Sequence, residues 1–178
     1  MTPDLPIKIK EERINGFNCQ KLIPIINENH VNKGGFLSNF SIVYDHCTHL
    51  ITAYIGEHLV GFCGLNSGCH IKKGGEDTDL HIMQIGVTKK AQGYGVATQM
   101  LNYIKDHSKG FNYMSSDVNI KNTSSRKLFE HNGFQSVQSK SDPNTLIYVK
   151  KVKEPDKIPF RIEAHFRTDH CRSNIYRD

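Results

Sequence analysis

Nowhere does the sequence run for about 18 apolar residues, so it holds no transmembrane helix. Its first residues, MTPDLPIKIKEE, carry charges where a secretory leader needs an apolar stretch, which argues against a signal peptide. The five cysteines are an odd number without paired spacing. That argues against a disulfide framework and for free thiols in a reducing cytosol. No strong excess of one charge exists either, the formal net charge being +5. Such a balance suits an anionic ligand, an acidic protein surface or nucleic acid without demanding any of them. His165, His170 and Cys171 lie close in sequence, but no second cluster completes four ligands, so no metal is expected.

What is present is concentrated between Leu80 and His107, LHIMQIGVTKKAQGYGVATQMLNYIKDH. The apolar run Ile82 to Val87 predicts a strand, and Gln92-Gly93-Tyr94-Gly95 predicts a turn. Val96, Ala97, Met100, Leu101 and Ile104 then recur at helical spacing, with Thr98, Gln99, Asn102, Lys105 and Asp106 facing water. A glycine turn that opens a helix offers bare amides and a positive dipole end to a phosphate. The P-loop is excluded because Gly-Lys-Ser/Thr is absent. A dinucleotide fingerprint needs a third glycine where Thr98 stands, although Asp117 supplies an acid about 20 residues on.

Two stretches together are more specific. Val87-(x4)-Gln92-Gly93-x-Gly95-x-Ala97 resembles the acyl-CoA signature of the GNAT N-acyltransferase superfamily. Val118-(x3)-Asn122-(x2)-Ser125-(x2)-Leu128-Phe129-(x3)-Gly133-Phe134 resembles that family's second motif, in the expected order. The likeness covers Leu80 to about Val152 closely and the N-terminal half by pattern. It implies an α/β (α+β) fold: a central, mixed, mostly antiparallel twisted sheet of about seven strands flanked by helices. Its fourth and fifth strands would splay apart to hold acyl-CoA.

The remaining chain fits that plan. Ile7 to Lys10 predicts a short strand, and Gly16 to His30 a helix with Phe17, Leu22, Ile25 and Ile26 at roughly helical spacing and Pro24 interrupting it or near its start. Phe36 to Tyr44 holds a second short helix, and Asn32 to Phe40 is a candidate acceptor-specificity loop. His49 to Ile55 and Leu59 to Leu65 form a hairpin about Gly56. Asn66 to Thr78 predicts a long loop before the fourth strand, Leu80 to Thr88. Tyr113 to Val118 is the fifth strand. Asn122, Thr123 and Ser124 offer caps to a helix closed by Asn132 and Gly133, and two strands follow, Phe134 to Ser139 and Thr145 to Val152. Residues 5–152 form the acyltransferase domain. Residues 153–178 form an extension whose alternation near Phe160 fits an extra strand, packed at home or against a partner chain, so monomer and homodimer both stand.

The resemblance also implies chemistry: transfer of an acetyl group from acetyl-CoA, a cosubstrate, directly to a primary amine, in the cytoplasm and off the membrane. Ile85, Gly86 and Val87 would lie along the pantetheine arm. Gln92, Gly93, Tyr94, Gly95, Val96, Ala97 and Thr98 would meet the diphosphate. Asn122, Ser125 and Phe129 would lie on the coenzyme side of the second motif. Gln92 stands where the family most often has arginine, and so brings no charge. His81 falls where many members carry a basic glutamate, with Asp79, Asp77 and Glu76 as nearby substitutes; a neutral imidazole suits deprotonation near neutral pH. Phe129 replaces a tyrosine that commonly protonates the thiolate, which leaves Tyr148, Tyr113 or solvent for that step. No serine or cysteine constellation argues for a covalent acyl-enzyme. Gln92 and Phe129 also favour a second class of function, an acyl-CoA sensor without turnover. A transfer-RNA amine is a third acceptor type, in the manner of GNAT toxins.

Overall fold

The computed structural model describes residues 6–29, 40–67, 72–73, 76–77 and 79–152. Seven strands share one mixed sheet in the order β1-β2-β3-β6-β7-β9-β8, and β4-β5 is a separate pair. The strands are β1 (Ile7–Glu12), β2 (His49–Ile55), β3 (His58–Ser67), β4 (Lys72–Lys73), β5 (Glu76–Asp77), β6 (Asp79–Val87), β7 (Tyr113–Asn119), β8 (Gln135–Gln138) and β9 (Thr145–Lys151). The helices are α1 (Gly16–Gln20), α2 (Ile23–Asn29), α3 (Phe40–His46), α4 (Val96–His107) and α5 (Thr123–His131). The chain divides into two compact units, Met1–Asn66 with Ile82–His107 and Ser67–His81 with Ser108–Asp178, so β6 contributes to both.

In the first unit β1 runs antiparallel to β2 and β2 antiparallel to β3, the latter pair turning at Gly56, whose φ is 59°. Cys19 from α1, Ile25 and Ile26 from α2, and Leu22 from the turn between them pack with Val43, Leu50 and Phe62. The expected single helix over residues 16–30 is two helices instead, and Pro24 sits in the first turn of the second, where its missing N–H has no helical partner to lose. Phe17, which shares a helical spacing with Leu22, Ile25 and Ile26 in the sequence, lies in the separate α1 and is 70% exposed. Glycines make close approach possible at two places. A Cβ on Gly86 would stand 2.8 Å from Phe62 Cε1 and 3.3 Å from Ile25 Cγ2, and one on Gly61 would stand 3.1 Å from Val96 Cγ1. These bare backbones admit α2 on one face and the start of α4 on the other.

In the second unit β6 meets β7 in parallel register, Asp79↔Tyr113, Leu80↔Met114 and His81↔Ser115. Among the described residues that register ends at His81, whereas β7 continues to Asn119 in antiparallel register with β9. β8 is the outer strand, paired to β9. Met114, Phe129 and Tyr148 are fully covered, and Phe134 joins them. Asn122 caps α5 by accepting the Ser125 N–H at 3.1 Å, and Gly133, φ 77°, follows the helix end as expected. The loop expected from Asn66 to Thr78 carries the short β4–β5 pair, Lys72↔Asp77 and Lys73↔Glu76. Most of the candidate specificity loop, residues 32–39, and the extension 153–178 lie outside the described residues.

Candidate active site

The turn after β6 is built by local hydrogen bonds. The Thr88 N–H donates to the Val60 carbonyl at 2.8 Å, which ties the strand end to β3. The Thr88 carbonyl accepts the Ala91 and Gln92 N–H groups at 2.9 and 3.1 Å, closing a 3₁₀ turn over Lys89–Ala91. Ala91 is wholly buried and acts as the pivot. The backbone then passes through Gln92 (extended), Gly93 at φ 84° and Gly95 at φ 75°. An added Cβ at either glycine meets no atom within 4 Å. Conformation rather than crowding therefore requires glycine, and the space before the loop is open to a ligand.

α4 begins at once. The Gly95 carbonyl accepts the Gln99 N–H at 2.9 Å, so the Val96 and Ala97 amides precede the helical ladder. Val96 is 1% exposed and anchors this end, while Ala97 and Thr98 are half-buried, less open than periodicity suggested for Thr98. With three turns behind it, the helix dipole adds partial positive charge where those amides point. Exposed Lys89 and Lys90 stand just before the loop.

The end of α2 braces this loop, a feature that spacing alone gives no sign of. Asn29 Nδ2 donates to the Val87 carbonyl at 3.0 Å and to the Ile25 carbonyl at 2.8 Å. Gln92 Nε2 reaches back to the same Val87 carbonyl at 3.2 Å and to Asn29 Oδ1 at 3.4 Å. Glu28 Oε2 accepts the Lys89 N–H at 2.8 Å. The Gln92 side chain is thus part of the frame that aims the amides. Ile85 is half-buried in β6, and Gly86 and Val87 are buried.

A second polar group lies on β6 and β7. Asp79 and Ser115 are wholly buried and His81 is 5% exposed. Ser115 Oγ donates to Asp79 Oδ2 at 2.5 Å, and His81 Nδ1 lies 2.8 Å from the same Oγ. Ser115 was not singled out from the sequence, because nothing local indicates that β7 would set it beside His81.

Tyr148 lies elsewhere. It pairs with Ser116 while Val149 pairs with Ser115, so Tyr148 and Ser115 point to opposite faces. The Tyr148 hydroxyl donates to Glu130 Oε1 at 2.8 Å, and its ring stacks on Phe129 with centroids 5.5 Å apart. Burial, then the Glu130 carboxylate, hold this hydroxyl above its ordinary pKa, so it keeps its proton. Phe129 is 1% exposed and also meets Phe134 edge-on at 5.0 Å, a packing role. Asn122 is exposed and Ser125 half-buried at the α5 N-terminus. Among the described residues, no group of three His, Cys, Asp or Glu side chains is placed to hold a metal ion, and no helix is long and apolar enough to cross a membrane.

The fold and this glycine turn define an acyltransferase of the GNAT class. The Acetyltransferase (GNAT) family profile matches residues 23–134, and the chain belongs to that family, whose reaction is acetyl-CoA-dependent acyl transfer. No curated protein sequence matches the chain. Solved structures of similar fold include the PaiA N-acetyltransferase of Thermoplasma acidophilum in complex with coenzyme A. It is 14% identical with a TM-score of 0.65, over 83% of this chain and 99% of that one. The ribosomal-protein-S18-alanine N-acetyltransferase of Escherichia coli is 11% identical with a TM-score of 0.63, over 86% and 100%. The yncA protein of Salmonella typhimurium, solved with its cofactor acetyl-CoA, is 13% identical with a TM-score of 0.61, over 85% and 96%.

Proposed function

We propose that the protein is an N-acetyltransferase that moves an acetyl group from acetyl-CoA directly to a primary amine in the cytoplasm. The observation that carries this reading is the loop of two positive-φ glycines opening α4 behind a braced strand end. Amides from Gly93 to Ala97 suit the diphosphate by chemistry: backbone donors, a dipole end and two nearby lysines for an anion. Ile85, Gly86 and Val87 would run beside the pantetheine arm, and Tyr94 and Thr98 would flank the diphosphate; Asn122 and Ser125 are the coenzyme-side residues that the second motif implies.

An ammonium cannot attack a carbonyl, so the amine must first lose a proton. His81 takes that proton, directly or through one water. The nitrogen then bonds to the thioester carbon, the carbon–sulfur bond breaks, and coenzyme A leaves as a thiolate. With Phe129 unable to donate and the Tyr148 hydroxyl engaged by Glu130, Tyr113 or solvent is left to give the thiolate its proton. Tyr148 then serves chiefly to hold α5 on the sheet. The buried thiols Cys19 and Cys63 and the half-buried Cys47 are free, which suits a reducing compartment.

The test is thiol release from acetyl-CoA against a panel of small amines, peptide N-termini, lysine peptides and aminoacyl-tRNA. Turnover abolished by His81→Ala is the expected result. Binding of coenzyme A without turnover on any acceptor would favour the sensor reading, which the buried Phe129 and the uncharged Gln92 side chain support.

A further inference from the structure

We infer that Asn29 and Gln92 are a pair of positioning residues. Together they hold the Val87 carbonyl, and Gln92 sets the coenzyme loop from behind instead of donating to the diphosphate itself. The inference deepens the proposed function and rests on coenzyme A as the ligand only for its effect on affinity.

The end of β6 has an acceptor that the sheet does not serve. The Thr88 N–H points at β3, donating to the Val60 carbonyl at 2.8 Å. Successive residues of a strand direct their backbone groups to opposite sides, so the Val87 carbonyl points away from β3. Among the described residues, the register of β6 with β7 has already ended at His81. Val87 is 8% exposed, and a carbonyl this far from water needs a donor. It has two, both side-chain amides: Asn29 Nδ2 at 3.0 Å and Gln92 Nε2 at 3.2 Å. They fill its two lone pairs.

Counting hydrogens fixes what Gln92 can do. A carbonyl only accepts, so each amide must turn its nitrogen toward Val87. The two hydrogens of Asn29 Nδ2 go to Val87 and to the Ile25 carbonyl, the latter at 2.8 Å. That leaves Asn29 Oδ1 as an acceptor, 3.4 Å from Gln92 Nε2. Both hydrogens of Gln92 Nε2 are then taken, one by Val87 and the other, in a longer contact, by Asn29. What Gln92 has left is an oxygen, which repels a phosphate. A direct contact with the diphosphate would remove a donor from the frame. The anion is left to the backbone amides from Gly93 to Ala97, and the pair holds the loop that carries them.

Packing confines Asn29 to this task. Gly86 lets the end of α2 lie against β6: an added Cβ there would stand 3.3 Å from Ile25 Cγ2 and 3.5 Å from Asn29 Nδ2. The neighbouring Glu28 takes the Lys89 N–H at 2.8 Å, so α2 grips the turn on both flanks. Losing Asn29 releases the strand end and removes the acceptor that orients the Gln92 amide. Gln92 then has little left to contribute.

Calorimetric titration with coenzyme A of the parent, Asn29→Ala, Gln92→Met and the double variant, with a thermal melt of each, tests the pair. Each single change is expected to weaken binding roughly 3–10-fold, as loss of one hydrogen bond does. Adding Gln92→Met to Asn29→Ala should weaken it by less than about twofold more. A direct ligand of the diphosphate would lose the same affinity in either background. A Gln92→Met effect as large in Asn29→Ala as in the parent therefore overturns the inference. So do variants that melt low yet bind coenzyme A as the parent does, the result of a purely structural pair. The Gln92 side-chain amide signals in ¹⁵N NMR, assigned by their loss in Gln92→Met, read the frame in two further ways. In the parent, saturating coenzyme A should move them far less than the Gly93 to Ala97 amides; a shift as large as theirs overturns the inference, whether or not Asn29→Ala folds. Without ligand, Asn29→Ala should carry them toward the position of a free glutamine amide, and signals that stay in place overturn it. A parent that binds no coenzyme A would defeat the proposed function, while the ligand-free spectra still decide the frame.

Discussion

Gly95 and Gly133 offer a matched pair for testing the phosphate loop. Their φ values are 75° and 77°, and an added Cβ at either meets nothing within 4 Å. Alanine at each position should therefore suffer the same local penalty, roughly 1–2 kcal/mol for an L-residue held left-handed. In a chain of this length each kcal/mol moves the melting midpoint by about 2–4 °C, so both variants should melt a few degrees low and remain folded. Ligand binding separates them. The free Gly95→Ala loop can relax toward negative φ, but binding the diphosphate requires the original conformation. The strain then appears in affinity as roughly 5–30-fold weaker binding, with more lost if the methyl meets the phosphate. Gly133 closes α5 and touches no proposed ligand, so its variant should bind coenzyme A as the parent does. Calorimetric titration with coenzyme A, paired with thermal melts, reads both quantities. Equal affinities in the two variants, with equal loss of stability, would refute the reasoning.

Other outcomes follow from particular contacts. Gly86→Ala must displace Phe62 or α2, since its methyl would stand 2.8 Å from the Phe62 ring; about 1–3 kcal/mol of overpacking is expected by chemical denaturation. Asn29→Ala removes a donor from the Val87 carbonyl and should weaken coenzyme A binding more than it lowers stability, measured by the same titration. Burial pushes the Cys47 thiol up to about 12 and the Cys63 thiol well above its usual range, so both should stay protonated and unreactive at pH 8. Mass spectrometry after brief native alkylation should find both unmodified, and rapid labelling would contradict the packing of α3 on β3. The raised Tyr148 pKa contributes stability that is present below the unfolded value and lost as pH climbs past about 10 toward the folded value. Tyr148→Phe should therefore flatten the alkaline fall in stability, seen as a shallower loss of melting temperature.

Periodicity and turn chemistry made much of this fold legible. Gly56, Asn122 and Gly133 do what their residue types suggest, and the apolar run before Val87 is the strand at the centre of the sheet. The glycine turn that opens α4 was readable because two glycines at fixed spacing before a helix have few other physical uses. What local pattern could not supply was everything decided across the sheet. Ser115 reaches His81 only through the parallel register of β6 and β7, and Asn29 reaches Val87 across 58 positions of sequence. The same holds for Tyr148: its residue type admits an acid, and the face it occupies gives its hydroxyl to Glu130. Phe17 marks the limit of helical spacing, which runs in the sequence straight through a break that the chain makes between α1 and α2.

The account depends on backbone amides gripping a diphosphate at one turn. Titrating ¹⁵N-labelled protein with coenzyme A reads those amides directly. The expected result is that the largest, saturable shifts fall on Gly93 to Ala97, with far weaker response to NAD. Saturating coenzyme A that leaves these five signals in place, or shifts that gather elsewhere, would contradict it.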